Sequence, residues 1–441
     1  MVNFCVHELI YGLIIMTGSM NFGYSVGFTS PLVPWFQNGS WQISKMNTTW
    51  FNAILPLFAI IGPFITAWWL SFMSRRLVFC ILQITSAVIY LIMLATTKKA
   101  FALMIVMRAI LGLVIGGVTA VSPQMLVEAA PAGLTGFFGN FNQFGCVIGI
   151  IIMYLQGNWC VNLSKNANKW WSLEITCAVL NLAGGLLIWI CPEHESTAES
   201  KVDNAEEPKK ESVFQKQYIG KLLVGVAMMF IQQFAGINAI LSNLDENFKQ
   251  VGAPLDSGIA STISVAAQLI GVSTSGVMVD TMGRRPLFCI STFGCGVMLI
   301  IFAMNYKFGW ANWLSIVVIF IYMFFFGAAL GPIPWFVVPE LFPDSVRSMG
   351  SSIISTMNQF FSFVVIFIFP WLKGKTDENG KITSGIGLMW TCIIFAIIAI
   401  GGSVFGYFFI TEPNKDKDEK LDWDENKDDN KNDNSEEKSD A

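Results

Sequence analysis

The sequence predicts an all-α membrane protein whose twelve transmembrane helices form two pseudo-symmetric six-helix bundles. Three observations predict it. Of 441 residues, 54% are hydrophobic and only 13% charged, and the mean hydropathy is +0.56. The apolar residues fall in runs of about twenty, the length that crosses a bilayer core. One long polar stretch divides these runs six and six, and landmarks of the first six recur in order in the second six. Arg75-Arg76 and Arg284-Arg285 each follow the second span of a half. Glu128-Ala-Ala-Pro131 and Glu340-Leu-Phe-Pro343 each end the fourth, and Asn142-Gln143 and Asn358-Gln359 each lie in the fifth. Three landmarks at nearly constant offset mark an internal repeat, and duplicated bundles are the architecture of many secondary transporters.

Taken in order, span one covers 9–29. No basic n-region precedes it, only His7 and Glu8, and no small-residue cleavage site follows, so it reads as a retained helix. Spans two and three, 50–72 and 77–97, flank Arg75 and Arg76. Span four, 100–126, carries Arg108 about five residues or more inside, where a cation needs a partner. The cores of the first six spans are expected to hold no carboxylate, which leaves backbone carbonyls, amides or water. Span five, 136–156, places Gln143 mid-span within Gly139-Asn-Phe-Asn-Gln143-Phe-Gly145, and span six is 172–191. The first bundle is therefore 1–191, and 192–218 is a linker between the bundles.

The second bundle, 219–411, opens with span seven, 219–241. Its segment Phe230-Ile-Gln-Gln-Phe-Ala-Gly-Ile-Asn238 holds three amides in an otherwise apolar run. An unsatisfied buried amide costs about 1–3 kcal/mol or more, so Gln232, Gln233 and Asn238 are not expected to face lipid. On an unbroken helix they diverge at about 100° per residue; a break at Gly236 turns all three toward one cavity. Spans eight and nine, 258–280 and 286–306, flank Arg284 and Arg285, and carry Gln268 and Asp280. Span ten, 312–338, contains Gly331-Pro-Ile-Pro-Trp335, where Pro332 and Pro334 remove two backbone donors. Such a break is tolerated in a membrane where the backbone lines a cavity or is buried by protein. The Trp335 face suits the C–H face of a pyranose while its N–H stays a donor. Spans eleven and twelve are 349–371, with Asn358, and 386–410. The tail 412–441 holds thirteen acidic residues against six lysines, so the membrane body is net positive although the chain is −4. It reads as a disordered cytoplasmic segment, solvating or else docking.

Five of the six arginines fall at cytoplasmic ends if the N-terminus is inside. The sequons at Asn38, Asn47 and Asn162 then fall in outer loops. Both termini are expected in the cytoplasm, and the location is expected to be the plasma membrane. Only Cys160 of nine cysteines reads as lying in an outer loop, so no disulfide framework is expected. No nucleophile–base set, metal-ligand cluster or phosphate loop is found, which disfavours an enzyme and implies no cofactor. No feature supports nucleic-acid binding. Recurring amides in separate spans of both halves favour a shared polar cavity over independent interhelical glue. The arginine–glutamate landmarks read as salt bridges that hold one side shut and break when the halves rock.

Over nearly its whole length the chain resembles the sugar-porter branch of the major facilitator superfamily. The resemblance rests on Phe22-Gly-Tyr24, Arg108 with Gly112, Glu128-Ala-Ala-Pro131, Pro192-Glu193, Gln232-Gln233 with Gly236-Ile-Asn238, Asp280-Thr-Met-Gly-Arg-Arg285, Gly331-Pro-Ile-Pro-Trp335, and Pro339-Glu-Leu-Phe-Pro343 with Arg347 and Gly350. It implies the major facilitator fold and a monosaccharide ligand. Gln143, Gln232, Gln233, Asn238, Gln268, Asn358 and Trp335 are then the sugar-binding candidates. Arg75, Arg76, Glu128, Asp280, Arg284, Arg285, Glu340 and Arg347 are then the inner gate.

Several positions depart from the family pattern. Ser-Phe-Met-Ser-Arg-Arg at 71–76 lacks the usual glycine and preceding acid or amide, and Thr135 stands where relatives carry arginine. Ser242-Asn243 replaces a tyrosine pair of the outer gate, Gln268 an asparagine, and Leu330 a tryptophan. Ser25 stands where proton-coupled relatives carry aspartate, and serine does not titrate. Facilitated diffusion is expected, with proton symport through another acid and a non-transporting sugar sensor as the alternatives. Alanine at Gln232 or Asn238 is expected to weaken sugar binding and leave the fold intact.

Overall fold

The computed structural model describes residues 6–38, 41–131, 135–162, 169–191, 213–250, 252, 254–376 and 382–410. Most of the linker and the acidic tail lie outside the described residues. Twelve described stretches are long and apolar enough to cross a bilayer.

In the first half, α1 (Val6–Gly27) and α2 (Thr29–Asn38) make one stretch that turns at Phe28. This is longer than the expected 9–29. Pro31 sits in the first turn of α2, where its missing N–H breaks no bond, so the chain resumes as helix after the turn. Next come α3 (Lys45–Ala59) and α4 (Gly62–Trp69), parted at Ile60–Ile61 ahead of Pro63. They are followed by α5 (Arg75–Met93), α6 (Phe101–Glu128), α7 (Thr135–Gly157) and α8 (Trp171–Leu187). The Ser44 and Ser74 hydroxyls accept the Asn47 and Leu77 N–H groups and cap α3 and α5.

In the second half, α9 (Lys216–Phe234), α10 (Ile237–Ser242) and α11 (Leu244–Gln250) are pieces of one path. They are followed by α12 (Ser257–Met282), α13 (Arg284–Phe308), α14 (Leu314–Phe325), α15 (Ile333–Glu340), α16 (Asp344–Lys373) and α17 (Leu388–Phe409). A two-stranded antiparallel hairpin, β1 (Lys375–Thr376) with β2 (Ile382–Ser384), joins α16 to α17 and is the one non-helical pairing among the described residues.

Two large apolar cores form. One draws only on residues 14–191, and the other runs over 228–410 with Val26, Cys146, Val147, Ile150 and Tyr154 added from the first half. The closest packing occurs where side chains vanish. A Cβ on Gly23 would sit 2.0 Å from the Cys146 carbonyl, so α1 and α7 meet backbone to backbone, as small residues allow between membrane helices. Across the halves, α7 packs on α12, and α3 on α16. Val277, Phe408 and Leu223 are exposed with many other large apolar side chains, as a lipid-facing surface requires. Eight described cysteines are free, and Cys160 is buried rather than in an open loop, because a π-helical turn at Asn158–Asn162 extends α7.

Candidate functional site

Gly236 breaks the seventh stretch as its sequence suggested. It adopts φ +90°, a left-handed conformation that L side chains rarely take. A Cβ there would also meet Phe395 of α17 at 2.4 Å. The turn brings Gln232 and Gln233, at the end of α9, onto the same cavity as Asn238 of α10.

The tenth stretch breaks by a different device. A π turn, Phe326–Leu330, carries the Gly331 N–H to the Phe326 carbonyl at 2.8 Å, and α15 restarts at Ile333. Pro334 has no N–H for the Leu330 carbonyl, and the Trp335 N–H turns to the Pro332 carbonyl at 3.1 Å, away from Gly331. Two carbonyls are left over. The Gln232 Nε2 donates to both, at 3.1 Å to Leu330 and 2.8 Å to Gly331.

Gln232 therefore spends both amide hydrogens on the protein. Its Oε1 accepts from Asn358 Nδ2 at 2.8 Å, while Gln233 Nε2 donates to Asn358 Oδ1 at 3.2 Å. Asn238 Nδ2 donates to Gln233 Oε1 at 2.6 Å and to the Ser362 hydroxyl at 2.9 Å. Alanine at Gln232 would also remove a structural contact, because the amide closes the break in a neighbouring helix.

These amides form one wall of a central cavity. Trp335 and Gln268 stand on the same side of the chain's repeat, and Gln143 and Asn142 face them from α7. Both Gln143 and Gln268 line the cavity, and among the described residues their side chains make no hydrogen bond. No charged residue lines it. Ser19, Thr119 and Asn142 also line the cavity and were missed; Asn142, beside Gln143, carried the readable signal, and Ser19 lies three residues before Phe22 on the same helix face. The Ser19 hydroxyl donates to Asn142 Oδ1 at 2.6 Å.

Arg108 is buried and finds backbone partners. Its Nη1 donates to the Ser25 carbonyl at 3.0 Å and its Nε to the Phe51 carbonyl at 3.4 Å, and the guanidinium lies 4.7 Å from the Phe51 ring centre. No carboxylate is expected in the cores of the first six spans, but one at a span's edge is buried. Glu174, in the first turn of α8, is fully buried and among the described residues neither of its carboxyl oxygens has a hydrogen-bond partner. An acid at a span's edge reads as solvated in sequence, but here the surrounding stretches close over it.

At the arginine end, Arg75 forms an ion pair with Glu128 that ties α5 to α6. Arg76 Nη1 donates to the Cys191 carbonyl at 3.0 Å and stacks 4.8 Å from Trp189. Arg285 stacks 4.5 Å from Tyr407, and Arg347 Nε donates to the Phe342 carbonyl at 3.3 Å. Arg284 lies at the start of α13 and has a partner of its own. The side chains of Thr135, Asp280 and Glu340 lie outside what is described. At the opposite end, buried Lys373 pairs with Glu246 at 3.2 Å and donates to Asn247 Oδ1 at 2.9 Å, binding α16 to α11. The Tyr154 hydroxyl of α7 donates to the Leu241 carbonyl at 2.5 Å, across the two halves.

The family model described as "Sugar (and other) transporter" matches residues 11–201 and 194–424. Over 447 residues the chain is 24% identical to the facilitated trehalose transporter Tret1 of Bombyx mori, covering 92% of this chain and 84% of that one. It is 26% identical over 388 residues to the glucose transporter GlcP of Staphylococcus epidermidis, with 80% and 82% covered. Among solved structures it is similar to the major facilitator proton:xylose symporter XylE of E. coli bound to 6-bromo-6-deoxy-D-glucose. The TM-score is 0.76 at 18% identity, covering 92% of this chain and 96% of that one.

Proposed function

This chain belongs to the sugar porter family of the major facilitator superfamily, and on that premise we propose that it carries a monosaccharide, a hexose such as glucose, down its gradient by alternating access. The observation that carries the proposal is the central cavity. It presents amides from both halves and one tryptophan, and no charged side chain lines it. Open amides donate and accept at once, which suits a ligand covered in hydroxyls. A neutral wall offers a proton no site beside the sugar. Ser25 is bonded to Tyr90 at 3.0 Å and adds no titrating group. The two bundles, 1–191 and 219–411, rock about the bound sugar. The arginine end faces the cytoplasm with both termini, in the plasma membrane, and the pair Arg75–Glu128 belongs to the inner gate together with Arg76, Asp280, Arg284, Arg285, Glu340 and Arg347.

Counterflow of labelled glucose into proteoliposomes tests the reading. Exchange that is competed by hexoses and indifferent to an imposed pH gradient is expected; absence of counterflow rejects transport, and accumulation driven by pH rejects uniport. Proton symport is the second reading, and buried Glu174 is what favours it. On that reading Glu174→Gln abolishes pH-driven accumulation and keeps counterflow, whereas under uniport there is no pH-driven component to lose.

A further inference from the structure

Beside the central cavity lies a second, much smaller one, and the two share Phe22 and Val26. Arg108 lines this second cavity, with Ser25, Asn52 and Pro56 from the first half and Ser242 and Ser362 from the second. Its polar groups are unusual in what they lack. Arg108 uses one hydrogen on each of Nε and Nη1, and Nη2 has no acceptor among the described residues. Among the described residues the side chains of Asn52 and Ser242 make no hydrogen bond, the Asn52 Oδ1 acceptor being buried and unpaired beside its amide donor, and the Ser362 hydroxyl accepts from Asn238 with its own proton unspent. No carboxylate lines the space. The nearest ion pair, Glu246 with Lys373, lines an adjoining outer cavity that shares Asn52 and also holds Lys45, so positive charge exceeds negative there too.

A guanidinium stays charged in proteins, and a buried charge without a counter-charge costs several kcal/mol. Backbone carbonyls and ring faces offset part of that cost but supply no negative charge. Three donors around the Arg108 cation, with no acid, make a cavity that favours a ligand with acceptors. We infer that the cavity at Arg108 binds a small monovalent anion, held by the Arg108 Nη2 edge with Asn52, Ser242 and Ser362. The site spans both halves, so an occupied site ties Ser242 of α10 and Ser362 of α16 to α6. Two sources share this chemistry: a free halide, and the carboxylate of a sugar acid seated in the central cavity. The second source rests on the sugar-transport reading, and the first does not.

The test uses the full-length protein in lipid nanodiscs, in sodium isethionate, whose bulky anion sets the baseline. Chloride and bromide are titrated in one arm, glucuronate in another and glucose as the neutral control, each followed by thermal unfolding. A free-halide site gives a saturable upward shift with chloride and bromide, and bromide soaked into crystals gives an anomalous peak beside Arg108. A sugar-acid site gives the shift with glucuronate and not with halide. In Arg108→Gln either shift is lost. So that the outcome does not depend on how that variant folds, Asn52→Leu and Ser242→Ala are measured with Arg108 intact; losing one bond to a charged ligand weakens half-saturation about tenfold or more. No saturable shift in the wild-type protein, or an equal shift in folded Arg108→Gln, overturns the inference. Glucose counterflow in the same preparation reports separately on sugar transport, so the two failures are told apart.

Discussion

At the scale of residues, the cavity amides divide by what they already hold. Gln232 has both hydrogens on the carbonyls of Leu330 and Gly331, whereas Gln143 and Gln268 have none committed. Gln232→Ala is therefore expected to cost about 1–3 kcal/mol of stability for the orphaned carbonyls, read as a lower unfolding temperature in the absence of sugar. Gln143→Ala and Gln268→Ala leave that temperature close to wild type and weaken sugar affinity by about fivefold to tenfold, the worth of one hydrogen bond. If Gln232→Ala unfolds like the wild type and differs only in affinity, the assignment of its amide is wrong. Sequence marked Gln232 as too polar for lipid, Gln143 as a polar group in mid-span and Gln268 through the family resemblance. It offered no way to separate them, because the partner of each amide lies a hundred residues away or is absent. Asn21 and Gln83 show the same limit: they bond to each other at 3.1 Å as interhelical glue, and nothing in their neighbours distinguishes them from cavity amides.

At the scale of elements, legibility followed local chemistry. The break at Gly236 and the break at Pro332 and Pro334 were both readable, since a flexible residue and missing N–H groups act on their own turn. The turn at Phe28, buried Glu174 and the Lys373–Glu246 pair were not, because each depends on what packs over a span's end. Gly236 carries the sharper prediction. Gly236→Ala faces a left-handed φ, costing about 1–2 kcal/mol, and a 2.4 Å approach to Phe395. Lower thermal stability and weaker sugar binding are expected together, since the same turn swings Asn238 into the cavity. Pairing it with Phe395→Leu relieves the contact and leaves the backbone cost, so the double variant recovers only part of the loss. Full recovery in thermal unfolding would show that the conformation at 236 carries no strain.

At the scale of the whole molecule, transport needs two arrangements of the halves that differ by little free energy. Hydrogen bonds among the described residues cross between the halves from Asn140 to the Val272 carbonyl at 2.8 Å, from Thr356 to the Ile60 carbonyl at 3.4 Å, and from Tyr154 to the Leu241 carbonyl at 2.5 Å. The last lies at the end away from the arginines, where α10 packs on α1 and α2, and α11 on α2. It joins the halves one residue before Ser242-Asn243, where the family pattern has a tyrosine pair, and uses a tyrosine from the opposite half. Tyr154 does not line the central cavity, so its removal acts on closure and leaves the sugar contacts alone. Tyr154→Phe removes one hydrogen bond of about 1 kcal/mol from the outer-closed form, an approximately fivefold shift of population toward the outward-facing form. Apparent affinity depends on the fraction of protein competent to bind from each side. Half-saturation for sugar added outside is therefore expected to fall, and for sugar added inside to rise, when right-side-out and inside-out vesicles are compared. Loss of a merely structural bond moves both in the same direction or neither, and that result would remove Tyr154 from the outer gate.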